Sequence, residues 1–597
     1  MSADESSVVM LPGRRFVMAC AIVACGLLGL GRAAALPVSL LAAEVFATII
    51  GLFFFGSFKY QIHKNALTYG MALVITATFV GLETSEWHRQ VASAGWWAWA
   101  RQHLLSFHGL DDLVHADTML FILGLTFFVA VIAQTRVLEG VTFFLLRRND
   151  GAILPTAIAV TAVVAFSSGI LDGVSMIGLT IRTLVIILML AAAPKEAILQ
   201  AVLICTTVTT VCGVWLAYGE PPNLIMKANL DPHLGGLFFI RYCGPIAVVT
   251  YLVVARHLRK SLGARRINLD MMDVLDANAE DVRFLQASRH GEVLTPVELV
   301  EAHAPDLQGK APRIIEELQQ GKSLGRALVD ADLPWETREL LLGHYVTEEL
   351  ATSLDRHYVL DAMGDDEGAM LAEQWVDDTL AASAQARRRA QLVGAIALVP
   401  FIALLIAHGV NHNVPLFLAS FAGFAVALAG IATIPRMRGL ALREGRHEYA
   451  EYYFLFPLFL SITLLTQAGF FGQMAALIRH GVETLGHFPV AWGQFAGGTF
   501  LSAILDNNIV ADFASRALAD FDLQILHLFA MAQIAGYALG GCWTHIGSAQ
   551  SVVAYSFIQR DVDPGYTPIQ WIKQMTPIIL EMFALITLVI AIKSWLF

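Results

Sequence analysis

FSSGILDGVSM (Phe166–Met176) places Asp172 inside an apolar stretch that also holds two glycines and three serines. FLSAILDNNIV (Phe500–Val510) repeats the spelling far down the chain, with Asp506 in the same place. A carboxylate is costly to bury, and one placed in such a segment marks a functional site or a helix cap at a bend. A matched pair of them favours function, and the flanking residues give the fold.

The chain of 597 residues is 56% hydrophobic and 15% charged, with a mean hydropathy of +0.61. Apolar runs such as Phe16–Leu30, Leu237–Ala255, Leu392–Ala407 and Ile578–Leu596 approach or reach the ~17–25 residues that cross a bilayer. This composition predicts an all-α polytopic membrane protein. The six cysteines lie in apolar segments without a C-x-x-C pair, which argues against a zinc site or a disulfide framework. The acid is concentrated in one polar stretch. Residues 261–390 hold 25 Asp and Glu against 13 Lys and Arg, so the rest of the chain is close to neutral.

Four segments follow: an extra N-terminal transmembrane helix (1–36), a first membrane repeat (37–256), an acidic helical insert (257–390) and a second membrane repeat (391–597). The N-terminus carries Arg14, Arg15 and an apolar core, features shared with export signals, and reads as a first transmembrane helix anchored by those arginines. Basic clusters at Arg147/Arg148, Ala255–Arg266, Arg387–Arg389 and Arg436–Arg446 put the insert on the cytoplasmic side, in a bacterial inner membrane. The tryptophan-rich Ser85–Gly109 then falls outside as an interfacial segment. The insert shows no catalytic constellation and its acidity excludes nucleic acid, so the chain does not read as an enzyme.

Three features recur in order in the two halves. An acid opens an apolar span, at Asp117 and Glu451. The two aspartate stretches come next. GVWLAYGEPPNLIM (Gly213–Met226) then registers on GCWTHIGSAQSVV (Gly541–Val553) at Gly213/Gly541, Trp215/Trp543 and Gly219/Gly547. Span counting inverts one half on the other. The expected fold is an inverted-repeat secondary transporter with two re-entrant helical hairpins and two interrupted helices. Gly169 and Gly173 are expected to permit the chain reversal at the first tip.

Broken helices expose N–H and C=O groups that lipid cannot satisfy but ions can. The candidate ion- and proton-binding residues are Asp172, Glu220 and Asp506 with Ser168, Ser175, Asn223, Ser502, Asn507, Asn508, Ser548 and Ser551. Na⁺ or Li⁺ would sit at Asp172, Ser168 and Glu220. Asp117, Glu451 and His545 are second-tier candidates. Three carboxylates around one site repel each other and raise the proton affinity of at least one, so that a cation entering displaces a proton. The second loop offers Ser548, Gln550 and Ser551 but no acid.

FSSGILDG and FLSAILDN, together with GEPPNLI and GGCWTHIGSAQSVV, resemble the hairpin-tip and loop motifs of the ion transporter superfamily. The resemblance covers both membrane halves and not the insert, and is nearest to the NhaD-type sodium/proton antiporters, with arsenite permeases and dicarboxylate/sodium symporters as relatives. It implies a scaffold domain and a transport domain, usually in a homodimer, and Na⁺ and H⁺ as transported ions with no cofactor. Two departures bear on the ion: Gly173 stands where the family often has a second acid, and Pro-Pro-Asn after Glu220 is similar to the permease and symporter branches. A cation- or proton-coupled anion carrier is therefore the second expectation, with a membrane sensor using the insert and a channel behind it.

Overall fold

The computed structural model describes residues 86–135, 137–171, 173–190, 193–266, 296–307, 309–320, 389–408, 414–432, 435–450, 452–467, 469–519 and 521–596, with scattered positions and short runs elsewhere. Asp172, Glu451, nearly all of the N-terminal helix and most of the insert lie outside the described residues, as does the side chain of Ser175.

The described residues form helices and turns with no β-strand. Seven helices among them are long and apolar enough to cross a membrane. Three short helices over Glu86–Val114 come first, with Trp96 and Trp97 exposed. Then follow α1 (Ala116–Gln134), α2 (Ile153–Ser167), α3 (Gly173–Leu190), α4 (Lys195–Thr210), α5 (Pro221–Asn229) and α6 (Gly244–Leu262). After the insert come α7 (Arg389–His408), α8 (Phe417–Ile431), α9 (Leu455–Gln467), α10 (His487–Ile504), α11 (Asn507–Arg516), α12 (Leu523–Trp543), α13 (Ala549–Phe557) and α14 (Pro568–Trp595).

The burial pattern sorts these helices. α14 is two-faced: Ile579, Met582, Ile586 and Ile590 are buried while Leu580, Leu588 and Ile592 are exposed, as suits a helix with one side to lipid. α4 and α12 are buried almost all round, so they lie at the centre. Neither central helix continues unbroken. α4 runs through a short 3₁₀ turn (Cys212–Trp215), leaves helical geometry at Leu216 and resumes at Pro221 as α5, where the two prolines suit the first helical turn. α12 ends at Trp543 and resumes at Ala549 as α13. A short non-helical stretch separates α2 from α3, and another separates α10 from α11.

The packing crosses between the halves. α5 lies along α11, and α13 lies along α3. At the far ends of these pairs, Asn229 of α5 donates to Asp512 Oδ1 at 2.6 Å, and Lys195 at the start of α4 pairs with Asp563 beyond α13 at 3.0 Å.

Within the insert, Leu299, Val300, Leu307, Ile314, Leu328, Leu333 and Leu341 form a small core of their own, separate from the membrane core. The described part of the insert is helical, as its periodicity predicts.

Candidate functional site

The two short stretches between α2 and α3 and between α10 and α11 meet the two helix breaks by equivalent contacts. The Gly173 N–H donates to the Gly219 carbonyl at 3.0 Å, and the Asn507 N–H donates to the Gly547 carbonyl at 3.1 Å. The Ser168 carbonyl fills the space above Gly219, and the Ser502 carbonyl fills the space above Gly547, so neither position has room for a Cβ. Phe166 packs on the Trp215 ring at 5.1 Å between centroids, and Phe500 on Trp543 at 5.3 Å. Residues that register in the sequence therefore also make the same contacts.

The dipole of each half-helix favours negative charge at its start, although α5 opens on Pro221 and Pro222, which carry no N–H to donate. Glu220 is the N-cap residue of α5, and Asp506 is the N-cap residue of α11. Ser548 caps α13, its hydroxyl accepting from the Ser551 N–H at 3.2 Å. Asp172 precedes α3 in the sequence.

Glu220 is 2% exposed, and Gln550 Nε2 donates to both of its carboxylate oxygens, at 2.9 and 2.8 Å. This contact joins the start of α5 to the start of α13. A methyl group on Gly173 would overlap the Glu220 carboxylate and come within 2.6 Å of Gln550 Nε2. The position next to the first tip aspartate is thus filled from the side by Glu220 and Gln550. Neither Gly169 nor Gly173 has a positive φ, so neither needs glycine for a left-handed backbone. Gly169 gives way to the Trp215 indole and Gly173 to Glu220, so both serve close packing.

The other candidates divide. Asn223 is fully buried; its amide donates to the Leu216 carbonyl at 3.1 Å and its Oδ1 accepts from the Tyr537 hydroxyl at 2.5 Å. Ser502 donates to the Tyr537 carbonyl at 2.8 Å, and Ser551 to the Gly541 carbonyl at 2.7 Å. Asn507 is buried beside Gly541. Ser168 turns its hydroxyl back onto Ala165 of its own helix, so what it presents to the break is its carbonyl. Asp506 accepts from the backbone and side-chain nitrogens of Asn508, at 2.9 and 2.7 Å, and so acts as a helix cap.

Asp117 and His545 stand apart from this constellation. Asp117 accepts from the N–H groups of Leu416 and Phe417, at 3.0 and 3.1 Å, and so caps α8. His545 packs against the Tyr555 ring at 4.7 Å.

Sequence reasoning missed Tyr537, which reads as a packing aromatic in AGYALGG, and a set of buried charges at the ends of α5 and α11. Lys227 contacts His408 at 3.0 Å. Arg516 pairs with Asp512 on its own helix at 3.0 Å and donates to His115 Nε2 at 3.0 Å. The signal was a cation or acid inside a short apolar segment, at MKAN and VADFASR. Burial, with the nearby Arg516 guanidinium, pushes the His115 imidazole down to about 4, in keeping with its acceptor role toward that arginine. Burial likewise holds Asp111 above the usual carboxylate range, opposed by the Asp117 N–H it accepts at 2.9 Å.

Tyr537→Phe is expected to lower stability by about 1–3 kcal/mol, because Asn223 Oδ1 then loses its hydroxyl donor within the core. Thermal unfolding of the purified protein reads this directly. A midpoint equal to that of the wild type would show that the bond contributes nothing.

A scan of protein-family models and a search of curated proteins find no match to this chain.

Proposed function

We propose that this chain is a secondary active transporter of the ion transporter superfamily type that exchanges Na⁺ or Li⁺ for protons. The matched tip and break contacts support two halves related by an inverted repeat. So does the exchange of partners, in which the second half of each broken helix lies along the return arm of the other hairpin. On this reading the hairpins are re-entrant, the insert is cytoplasmic, and the protein works in a bacterial inner membrane as a homodimer.

The observation that carries the choice of ion is the position of the acids. Convergent half-helix N-termini would hold an anionic substrate if they were vacant. Here Glu220 and Asp506 occupy two of those ends themselves, and Glu220 is buried. The helix dipoles therefore stabilise fixed carboxylates, and the complementary ligand is a cation. Hard oxygen donors are at hand in the Glu220 carboxylate and in the carbonyls at the ends of α2 and α4. Protonation of a buried carboxylate and its coordination of a cation exclude each other, which couples the two ions.

The test is proton flux in vesicles holding the purified protein, on adding Na⁺, Li⁺ or a dicarboxylate. Alkalinisation of the compartment from which protons leave, driven by Na⁺ or Li⁺ and lost in Asp172→Asn, is the expected result. Uptake that depends on dicarboxylate or arsenite with no cation response would instead favour the coupled anion carrier, to which Pro221-Pro222-Asn223 is similar.

A further inference from the structure

A polar cavity of about 200 Å³ lies at the far end of α5 from Glu220. Its charged and titratable lining comprises Asp111, Asp117, Asp231, His115, His408 and Lys227. They come from the short helix ahead of α1, from α1 itself, from α5 and the turn after it, and from the end of α7. Lys227 is 6% exposed. Its ammonium lies 3.0 Å from His408 Nε2 and 5.3 Å from the centre of the Tyr218 ring. His408 Nδ1 lies 2.8 Å from the Val414 carbonyl, so Nδ1 carries the proton and Nε2 accepts from the lysine. The lysine is thus held with its positive charge in an acid-lined chamber.

Two features tie this chamber to the site at Glu220. Glu220 caps the start of α5 and Lys227 lies near its end, so one short helix joins the two places. Leu224, one turn from Glu220, also lines the cavity. The three aspartates outnumber the one lysine, so the chamber attracts cations even with Lys227 in place.

We infer that this cavity is a cation-recruiting antechamber in which the Lys227 ammonium acts as a tethered competitor, weakening the hold on Na⁺ or Li⁺ so that the ion passes on. This rests on the cation-transport reading. The chamber's ligand is a monovalent inorganic cation, and the lysine sets its affinity by charge.

The experiment uses a pair of substitutions with opposite sign. Lys227→Met removes the fixed cation, and Asp231→Asn removes a fixed anion. In proteoliposomes with the full-length protein, Lys227→Met is expected to lower the KM for Na⁺ by about tenfold and Asp231→Asn to raise it by a similar factor. Lys227→Arg should keep the wild-type KM. A packing defect would shift both variants alike, so KM values that move together, or not at all, overturn the inference while Na⁺-driven flux leaves the transport reading standing. If the wild type shows no Na⁺- or Li⁺-driven flux, the transport reading fails, and titration calorimetry with NaCl and LiCl decides the chamber separately. Tighter binding in Lys227→Met than in wild type supports it, and equal binding overturns it.

Discussion

Glu220→Gln is expected to abolish cation-driven proton movement, with a fall on the order of 100-fold or more, while the protein still folds. The substitution keeps the shape of the side chain and removes its charge. A unit charge within about 2.5 Å of a cation is worth several kcal/mol even at an effective dielectric of about 20. Glu220 is 2% exposed, so water cannot replace that interaction cheaply. The fold should tolerate the change, because one Gln550 hydrogen still finds a carbonyl oxygen on the new amide. The measurement is Na⁺- and Li⁺-driven flux beside a thermal unfolding midpoint. Flux lost with the midpoint held marks Glu220 as a working carboxylate. Flux retained at near wild-type rate removes Glu220 from the transport cycle and leaves Asp172 as the candidate carrier.

The membrane class was legible because apolar runs of spanning length admit few other folds. The breaks were legible because glycine, two prolines and an acid interrupt one run at GEPPN, and glycine with polar residues interrupts the other at HIGSAQ. The register of the two halves was legible too: Gly213/Gly541 and Trp215/Trp543 align in sequence, and the tryptophans pack on corresponding phenylalanines. The partner of Glu220 was not legible. Gln550 lies 330 positions away and reaches it only because the start of α13 is brought against the start of α5. Tyr537 was hidden for a different reason, since a tyrosine in a buried helix looks like any core aromatic until its hydroxyl partner is placed. Asp506 shows the limit of symmetry in a sequence. It matches Asp172 in position, and its own contacts, to the backbone and side-chain nitrogens of Asn508, are those of a capping residue, which the spelling shared with Asp172 does not foretell.

The glycine at position 173 gives the sharpest steric expectation. Gly173→Ala should destabilise the protein by about 1–3 kcal/mol and cut transport strongly, because the added methyl occupies space already held by the Glu220 carboxylate and the Gln550 amide. Ordinary helix propensity points the other way, as alanine is favoured over glycine in a helix by roughly 1 kcal/mol. Gly178, five residues on in the same helix, supplies the control. A Cβ there meets nothing within 4 Å, so Gly178→Ala should be neutral or stabilising and leave flux intact. The pair separates a general effect of alanine in α3 from displacement of the site carboxylate. The same steric fact bears on the second acid that the resemblance to the ion transporter superfamily leads one to expect at position 173. A carboxylate on residue 173 would have to displace Glu220, so in this chain the acid beside the tip comes from the break at Gly219–Pro221 instead. Gly173→Asp should therefore fail to restore transport when combined with Glu220→Gln, since its Cβ meets the glutamine in the same place. Flux recovered in that double variant would show that the tip can hold the second carboxylate after all, and that the close approach of Glu220 to Gly173 is not what excludes it.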